Sequence, residues 1–223
     1  EFRRVLCRSR AWKALLRASD YRSFEPNLEA LIHEDQLERS LPGPRRYEEI
    51  GFTKSDLWLE PGALAGQDRL QAFLSRIDAY KEQRDFPALE STSGLSVHLR
   101  HGTISIRECV RAALSRDSDG AGKWLDELIW REFYHMILAL FPHVVSQPFQ
   151  PQYRDLEWPG SQEHFEAWKA GMTGYPIVDA AMRCLTETGW MHNRLRMICA
   201  SFLTKDLLVD WRKGEAWFAE KLL

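Results

Sequence analysis

Apolar residues recur at helical spacing along most of the chain after residue 68. Leucine, isoleucine, phenylalanine and tryptophan return every three or four positions, which places them on one face of a helix. Alternation of apolar and polar residues, the mark of a half-buried strand, is hard to find. The pattern therefore predicts an all-α fold, with helical segments at residues 70–77, 106–114, 124–140, 165–170, 177–186 and 194–211.

The first third of the chain has a different pattern. Residues 1–20 predict one amphipathic helix, whereas residues 21–65 are polar and rich in turn-forming Pro and Gly, as in the LPGP and EPG runs. We interpret 1–65 as an amino-terminal helix and connector, and 66–223 as a helical domain. No internal repeat is visible.

Composition sets broad bounds on function. A chain of 223 residues with 44% hydrophobic and 28% charged residues can bury a sizeable core, and only its 9 tryptophans stand out. The net charge of −2 gives no overall attraction to nucleic acid, so DNA affinity would need a local basic surface. Residues 183–213 are the candidate, with more Lys and Arg than Asp and Glu.

Several classes of site are poorly supported. The four cysteines, Cys7, Cys109, Cys184 and Cys199, lack paired metal-ligand spacing, so we expect reduced, buried thiols and no metal. No apolar run approaches the length of a membrane span, and no signal-peptide core follows the charged start. No nucleophile triad, P-loop or pair of catalytic carboxylates emerges, which disfavours hydrolysis.

Residues 173–213 contain an unusual set of side chains for helices that look buried. Trp190, Asn193, Arg194, Arg196 and Met197 lie within a few turns, and the polar members need partners if they are shielded from water. This combination suggests a flat cofactor that meets a nucleic-acid base.

Here the chain resembles the flavin-dependent DNA photolyases and cryptochromes, and specifically the class I photolyases that repair cyclobutane pyrimidine dimers. The motifs are YKEQRDFP at 80–87, TSGLS at 92–96 with GTIS at 102–105, WLDELIWREFY at 124–134, and the run from 165 to 217. The resemblance covers residues from about 70 to the end. It implies a helical FAD-binding domain truncated at both ends, without the α/β antenna domain of the family.

The TSGLS motif is the expected phosphate end of the cofactor site. Hydroxyls and free amides before a helix can hold a diphosphate, although plain helix capping is the commoner role of such residues. The resemblance implies that the FAD phosphates bind at Tyr80, Thr92, Ser93, Leu95 and Ser96. At Gly94 the chain departs from the family, whose bacterial members often have Arg there.

Glu127 and Trp130 are three residues apart and share a helix face. Spacing alone favours a surface ion pair between Glu127 and Arg131. The resemblance implies instead that Glu127 hydrogen-bonds the dimer and also contacts the cofactor, that Trp130 packs against the dimer, and that Arg131 contacts the cofactor or DNA. It also places Arg84 at the DNA.

The WMHNRLRM segment at 190–197 separates subfamilies and is similar to that of dimer photolyases. By resemblance, Trp190 and Asn193 line the flavin and the lesion, and Arg196 contacts the flavin. Arg194 approaches the lesion backbone, and Met197 packs on the flipped dimer. Met197 could also simply fill a gap in the core. His192 is a weak candidate for proton transfer, because a lone histidine is more often structural.

The implied activity is light-driven repair, in which excited reduced FAD donates an electron to a dimer that has been flipped out of the duplex. Trp158 and Trp211 match two members of the family's electron relay, although both would also serve as packing residues. A folate or deazaflavin antenna pigment is expected only in a full-length protein. We expect a cytoplasmic, nucleoid-associated monomer. A cryptochrome-like photoreceptor and a non-catalytic remnant are the alternatives.

Overall fold

The computed structural model describes residues 57–223, together with residues 13, 22–23 and 46–51. Among these residues it contains helices and turns and no strand, which confirms the predicted all-α fold class. The predicted helix at 1–20 lies outside the described residues except for position 13, as does most of the 21–65 connector. The division of the chain at residue 66 stays a prediction.

Each predicted segment overlaps a helix, but the bounds differ. The 70–77 prediction is shifted, because the observed helix runs from Ala63 to Leu74 and Ile77 lies in a 3-10 turn. The 106–114 prediction matches its helix, and the 124–140 helix begins one turn earlier than predicted. Short 3-10 turns lie at Tyr47–Ile50, Ile77–Ala79, Pro142–Val145 and Pro151–Tyr153. The α-helices are α1 (Ala63–Leu74), α2 (Tyr80–Gln83), α3 (Ser96–His101), α4 (Ile106–Leu114), α5 (Asp119–Leu140), α6 (Gln162–Ala170), α7 (Pro176–Thr188), α8 (Asn193–Ser201) and α9 (Trp211–Lys221).

Local sequence explains where several helices begin. The hydroxyls of Ser105, Ser118 and Ser161 each accept a hydrogen bond from a backbone N–H in the first turn of α4, α5 and α6. These bonds satisfy amides that the helix itself leaves unpaired. The imidazole of His192 and the carboxylate of Asp210 do the same for α8 and α9. Capping thus fixes the starts of α5 and α8, the two helices that carry most of the predicted site residues.

Two hydrophobic clusters form the core. The first joins α1, α2, α4 and α5, where the Phe73 ring lies 5.0 Å from Trp124 and 5.6 Å from Tyr80. The second joins α6, α7, α8 and the segment between α8 and α9, with Trp217 and Phe218 of α9 packed against it, and its fully buried Trp168 donates to the Cys199 carbonyl over 3.0 Å. Residues predicted for the site lie on helices of both clusters.

The predicted continuous run at 194–211 is wrong. Helix α8 ends at Ser201, a π-helical turn covers Phe202–Asp206, and α9 begins only at Trp211. Between them Leu208 has a φ of 52°, in the left-handed region that a leucine rarely adopts. Its carbonyl accepts the Gly160 N–H over 3.0 Å, a tertiary contact that holds the bend.

The cysteines differ from the prediction in one respect. Cys109 and Cys199 are buried free thiols, as expected, but the free thiol of Cys184 is only half-buried. Cys7 lies outside the described residues. Within the described part of the chain no helix is long and apolar enough to cross a membrane, and no cluster of three potential metal-ligating side chains occurs.

Candidate functional site

A chain of ion pairs connects the two core clusters. Glu127 of α5 accepts a hydrogen bond from the Arg84 guanidinium and lies 3.3 Å from the Lys123 ammonium. Arg84 also approaches Asp85 at 3.5 Å, and the other partner of Asp85 is Arg194 of α8 at 2.5 Å. These five residues are called the ion-pair chain below. It gathers three predicted DNA-binding residues, Arg84, Glu127 and Arg194, although they are far apart in sequence.

The electrostatics of the ion-pair chain keep the Asp85 carboxylate charged. The hydrogen bond from Arg194 is the main reason that the pKa of Asp85 lies below its usual value, and the nearby Arg84 lowers that pKa further. Asp85 was not among the predicted site residues. It lies within the YKEQRDFP motif, but the sequence did not indicate that it would bridge to α8.

The surface pair between Glu127 and Arg131 does not form. Glu127 pairs with Arg84 and Lys123, whereas Arg131 donates to Glu132 over 3.0 Å and to the Leu99 carbonyl over 3.2 Å. The spacing-based interpretation is therefore wrong. Each of the two residues also has a tertiary partner: Arg84, just after α2, pairs with Glu127, and the Leu99 carbonyl of α3 accepts from Arg131.

Trp130 lies one turn beyond Glu127 in an aromatic group. Its ring is half-buried, stacks on Tyr134 with centroids 5.8 Å apart, and meets Phe133 edge-on at 5.6 Å. Tyr134 itself is 61% exposed, so this group forms part of the surface of α5. Trp130 is thus held by neighbours on its own helix and keeps part of its surface accessible.

Met197 is exposed and does not fill the core. Its relative exposure is 52%, so the core-filler interpretation is wrong. The Asn193 amide lies 3.9 Å from its sulfur, and Asn193 is exposed as well. Met197 and Arg194 line one side of an open cavity of about 410 Å³ with Ile198, Ser201, Phe202 and Asp206. An apolar side chain presented in a concave surface is typical of a ligand contact.

His192 has a structural role. Its Nδ1 accepts the Arg194 N–H over 3.1 Å and caps α8, while its buried Nε2 has no hydrogen-bond partner among the described residues. Burial is the main cause that lowers the pKa of His192, so the imidazole is neutral at physiological pH. His98 is similar: it is buried, its Nδ1 lies 2.9 Å from the Thr103 hydroxyl, and burial lowers its pKa. His101 is exposed.

Arg196 is a half-buried cation of α8 that lacks a carboxylate. Its Nε donates to the Met191 carbonyl over 2.9 Å, and no ion pair forms with an acid in the described part of the chain. Burial lowers the pKa of this guanidinium. A half-buried charge without a counterion is costly, so this site favours an anionic or hydrogen-bond-accepting group.

Tyr80, which was predicted for the phosphate end of the cofactor site, is buried in the first core cluster. Its side chain is only 7% exposed, and burial is the main cause that raises its pKa to about 12. The Arg84 guanidinium carbon lies 5.5 Å from the centre of the Tyr80 ring. Tyr80 therefore belongs to the first core cluster and touches the ion-pair chain.

The TSGLS motif does not cap α3 with its side chains. Thr92, Ser93 and Ser96 were predicted to precede a helix, but Ser96 is the first residue of α3, and no side-chain hydrogen bond caps its first turn. The Ser93 hydroxyl instead accepts the Leu95 N–H over 3.4 Å, within the preceding turn. Thr92 and Ser93 are half-buried, Leu95 is buried and Ser96 is exposed. The helix-capping interpretation is wrong for these residues.

A cavity of about 720 Å³, the Trp58–Trp190 cavity, opens beside this motif. Its volume falls within the roughly 300–1,000 Å³ of small-ligand sites. The Trp58 and Trp190 rings lie 5.9 Å apart, and the buried Nε1 of Trp58 has no hydrogen-bond partner within the described ranges. Such an orphaned donor fits a polar ligand. The lining includes two predicted cofactor residues, Thr92 and Trp190. It also includes Gly94, Trp58, Arg69 and Arg76, which were not predicted to bind the cofactor.

Trp158 and Trp211 are both half-buried. The hydrogen bond from Gly160 to the Leu208 carbonyl ties the segment after Trp158 to the bend before Trp211. Trp211 also lines a cavity of about 470 Å³ between α8, α9 and Arg100 at the end of α3. The structure thus links the backbone segments of the two predicted relay residues.

Comparisons with known proteins show which family the chain resembles. Residues 124–223 match the family described as the FAD binding domain of DNA photolyase. Deoxyribodipyrimidine photo-lyases of Neurospora crassa and Synechococcus are 43% and 49% identical to the chain, over 86% and 74% of its length. The E. coli photo-lyase is 51% identical over 65% of the chain.

Solved structures show the same likeness. A bacterial class III photolyase from Agrobacterium tumefaciens superposes on 81% of the chain with a TM-score of 0.76 and 41% identity. A cryptochrome from Synechocystis superposes on 83% with a TM-score of 0.70 and 34% identity. The chain covers 33% and 36% of the Neurospora and Synechococcus photo-lyases, and 40% and 41% of these two structures.

Proposed function

Because this chain belongs to the DNA photolyase and cryptochrome family, we propose that it binds FAD and acts in the light-driven repair of cyclobutane pyrimidine dimers in DNA. The ion-pair chain is the observation that carries the proposal. It brings Arg84, Glu127 and Arg194 together where helices of the two core clusters meet, and Arg194 lines an open cavity together with the exposed Met197.

FAD fits the chemistry of the residues around this junction. We propose that Tyr80, Thr92, Ser93, Leu95 and Ser96 hold its phosphate end. Trp190, Asn193, Arg131 and Arg196 would contact the flavin end. The orphaned Trp58 N–H and the unpaired Arg196 cation support a bound group with acceptor atoms. When bound, FAD supplies the light-excited electron donor. Trp158 and Trp211 would pass electrons toward it.

The residues on the DNA side position the lesion. Glu127 is a charged acceptor for base N–H groups, and Trp130 and Met197 offer accessible apolar surface for a flipped dimer. Arg84 and Arg194 would contact backbone phosphates. A dimer pairs and stacks poorly, so swinging it out of the duplex costs less than flipping an intact base. We also propose that the protein is a monomer and that it acts on nucleoid DNA in the cytoplasm.

The first test is a titration of the purified chain with FAD, followed by absorbance and flavin fluorescence. Saturable binding with the structured absorbance of a buried ring would support the cofactor site. The loaded, reduced protein is then mixed with an oligonucleotide that contains a thymine dimer, under blue light and in the dark. Loss of dimers only in the light would support repair. A chain that folds but binds no FAD would support the non-catalytic remnant.

A photoreceptor role is the second candidate. The likeness to the Synechocystis cryptochrome, at 34% identity and a TM-score of 0.70, favours it. In that case the bound flavin would serve light signalling and not repair. Saturable FAD binding without light-dependent loss of dimers would favour this candidate over the photolyase.

A further inference from the structure

A guanidinium fills the space beside Gly94. A Cβ atom built on Gly94 would lie 2.4 Å from Nη1 of Arg69, closer than any real contact. Gly94 also has a φ of +63°, where a side chain is strained. Arg69 comes from α1, so its charged end occupies the volume that a side chain at position 94 would need.

Arg69 faces the Trp58–Trp190 cavity and has no counterion among the described residues. Its guanidinium carbon lies 5.1 Å from the centre of the Trp58 ring, and it forms no ion pair with a carboxylate of the described residues. Glu60, Asp68 and Glu90 line the same cavity, as does Arg76, but none of the three acids pairs with Arg69. A half-buried, unpaired guanidinium held against an indole favours an anionic ligand.

We propose that Arg69 is a phosphate-binding residue, which contacts the diphosphate of FAD from the place beside Gly94. The inference rests on the proposed binding of FAD. Thr92 lines the cavity next to Gly94, so a hydroxyl and a guanidinium converge there. The planar fork of an arginine matches phosphate oxygens, and stacking on Trp58 holds the fork in place before the ligand arrives. Bacterial members of the family often have Arg where this chain has Gly94, and Arg69 would supply the missing positive charge.

The test compares FAD with riboflavin, which has the same ring and no phosphate. Arg69→Gln should weaken FAD binding about tenfold and leave riboflavin binding unchanged, because a charge-assisted hydrogen bond is lost. Arg69→Lys keeps the charge and loses the fork, so its FAD affinity should lie between. Arg116→Gln, an exposed residue in the loop after α4, controls for net charge. Far-UV circular dichroism checks that each variant is folded.

The outcomes separate the two proposals. If the wild-type chain does not bind FAD, the proposed function and this inference both fail. If the wild type binds FAD and Arg69→Gln binds it equally well, only this inference fails. Equal losses of FAD and riboflavin in Arg69→Gln would show that Arg69 shapes the pocket and does not recognise phosphate. If Arg116→Gln lost as much FAD affinity as Arg69→Gln, the loss would reflect the overall charge of the protein, and Arg69 would have no specific role.

Discussion

Glu127 has two roles that one substitution can separate. It is the proposed acceptor for the dimer, and it neutralises Arg84 and Lys123. Glu127→Ala should therefore weaken binding to a dimer-containing duplex by about tenfold or more, because the N–H groups of the bound dimer lose their acceptor. Binding to undamaged duplex should stay constant or strengthen, because two cations are released toward phosphate. Fluorescence anisotropy with the two duplexes measures both.

Glu132→Ala is the matched control for Glu127. It removes a carboxylate from the same helix, and its partner Arg131 lies outside the ion-pair chain. Both duplexes should bind this variant with similar changes. Equal losses for damaged and undamaged DNA in Glu127→Ala would count against a lesion contact at this residue.

The cysteines offer a second prediction at the residue scale. Burial is the main cause that raises the pKa of Cys109 to about 12 and that of Cys199 to about 11. At neutral pH both remain protonated and shielded, so neither can act as a thiolate. Half-buried Cys184 should react first with an aromatic disulfide reagent. In a Cys7→Ser background, Cys184→Ser should abolish the fast phase. A fast phase that survives would show that a buried thiol is accessible.

Sequence periodicity predicted the elements best where a helix is set by its own residues. The prediction for 106–114 matches α4, whereas α5 begins at Asp119 because its first turn is capped by Ser118 and contains small residues with no apolar pattern. The run at 194–211 failed because the bend at Leu208 depends on a hydrogen bond from Gly160, and a local pattern does not contain that contact.

The site was predicted only in part for the same reason. Residues within quoted motifs, such as Glu127, Trp130 and Asn193, were identified from resemblance. Asp85 and Arg69 were not among the predicted residues, because the contacts that single them out come from distant parts of the chain: Arg194 for Asp85, and Trp58 and Gly94 for Arg69. A charge in a motif does not reveal which distant charge it meets.

The start of α5 should be sensitive to a single methyl group. A Cβ on Gly120 would lie 2.0 Å from the Ile77 carbonyl oxygen and 2.5 Å from that of Asp78. Gly120→Ala should therefore destabilise the protein by about 2 kcal/mol, as overpacking against backbone does. Gly122→Ala meets nothing within 4 Å and should be neutral or stabilising by up to about 1 kcal/mol.

Urea denaturation of the two glycine variants measures these free energies of unfolding. The pair isolates packing from helix propensity, because both residues lie in the first turns of the same helix. Equal stability of Gly120→Ala and Gly122→Ala would contradict the close contact between Gly120 and the backbone of the Ile77–Ala79 turn.

At the scale of the whole molecule, the net charge of −2 leaves DNA binding to local cations. The basic residues of 183–213 largely have internal partners: Arg194 pairs with Asp85, and Arg212 pairs with Asp210 at 2.6 Å. Lys213 bonds Gln162, and Arg183 bonds the Gly171 carbonyl. The predicted basic surface is therefore partly neutralised in the free protein.

Breaking the ion pair between Asp85 and Arg194 should change how the protein binds undamaged DNA. Asp85→Asn frees Arg194 at the proposed DNA surface, so affinity for undamaged duplex should rise severalfold. The slope of log affinity against log salt should steepen by about one unit for one added phosphate contact. Asp210→Asn makes the same change in net charge but frees Arg212 at the start of α9. Salt titrations of both variants should show the steeper slope for Asp85→Asn alone. Equal slopes would mean that Arg194 contributes only through overall charge, and that Asp85 does not control a phosphate-binding residue.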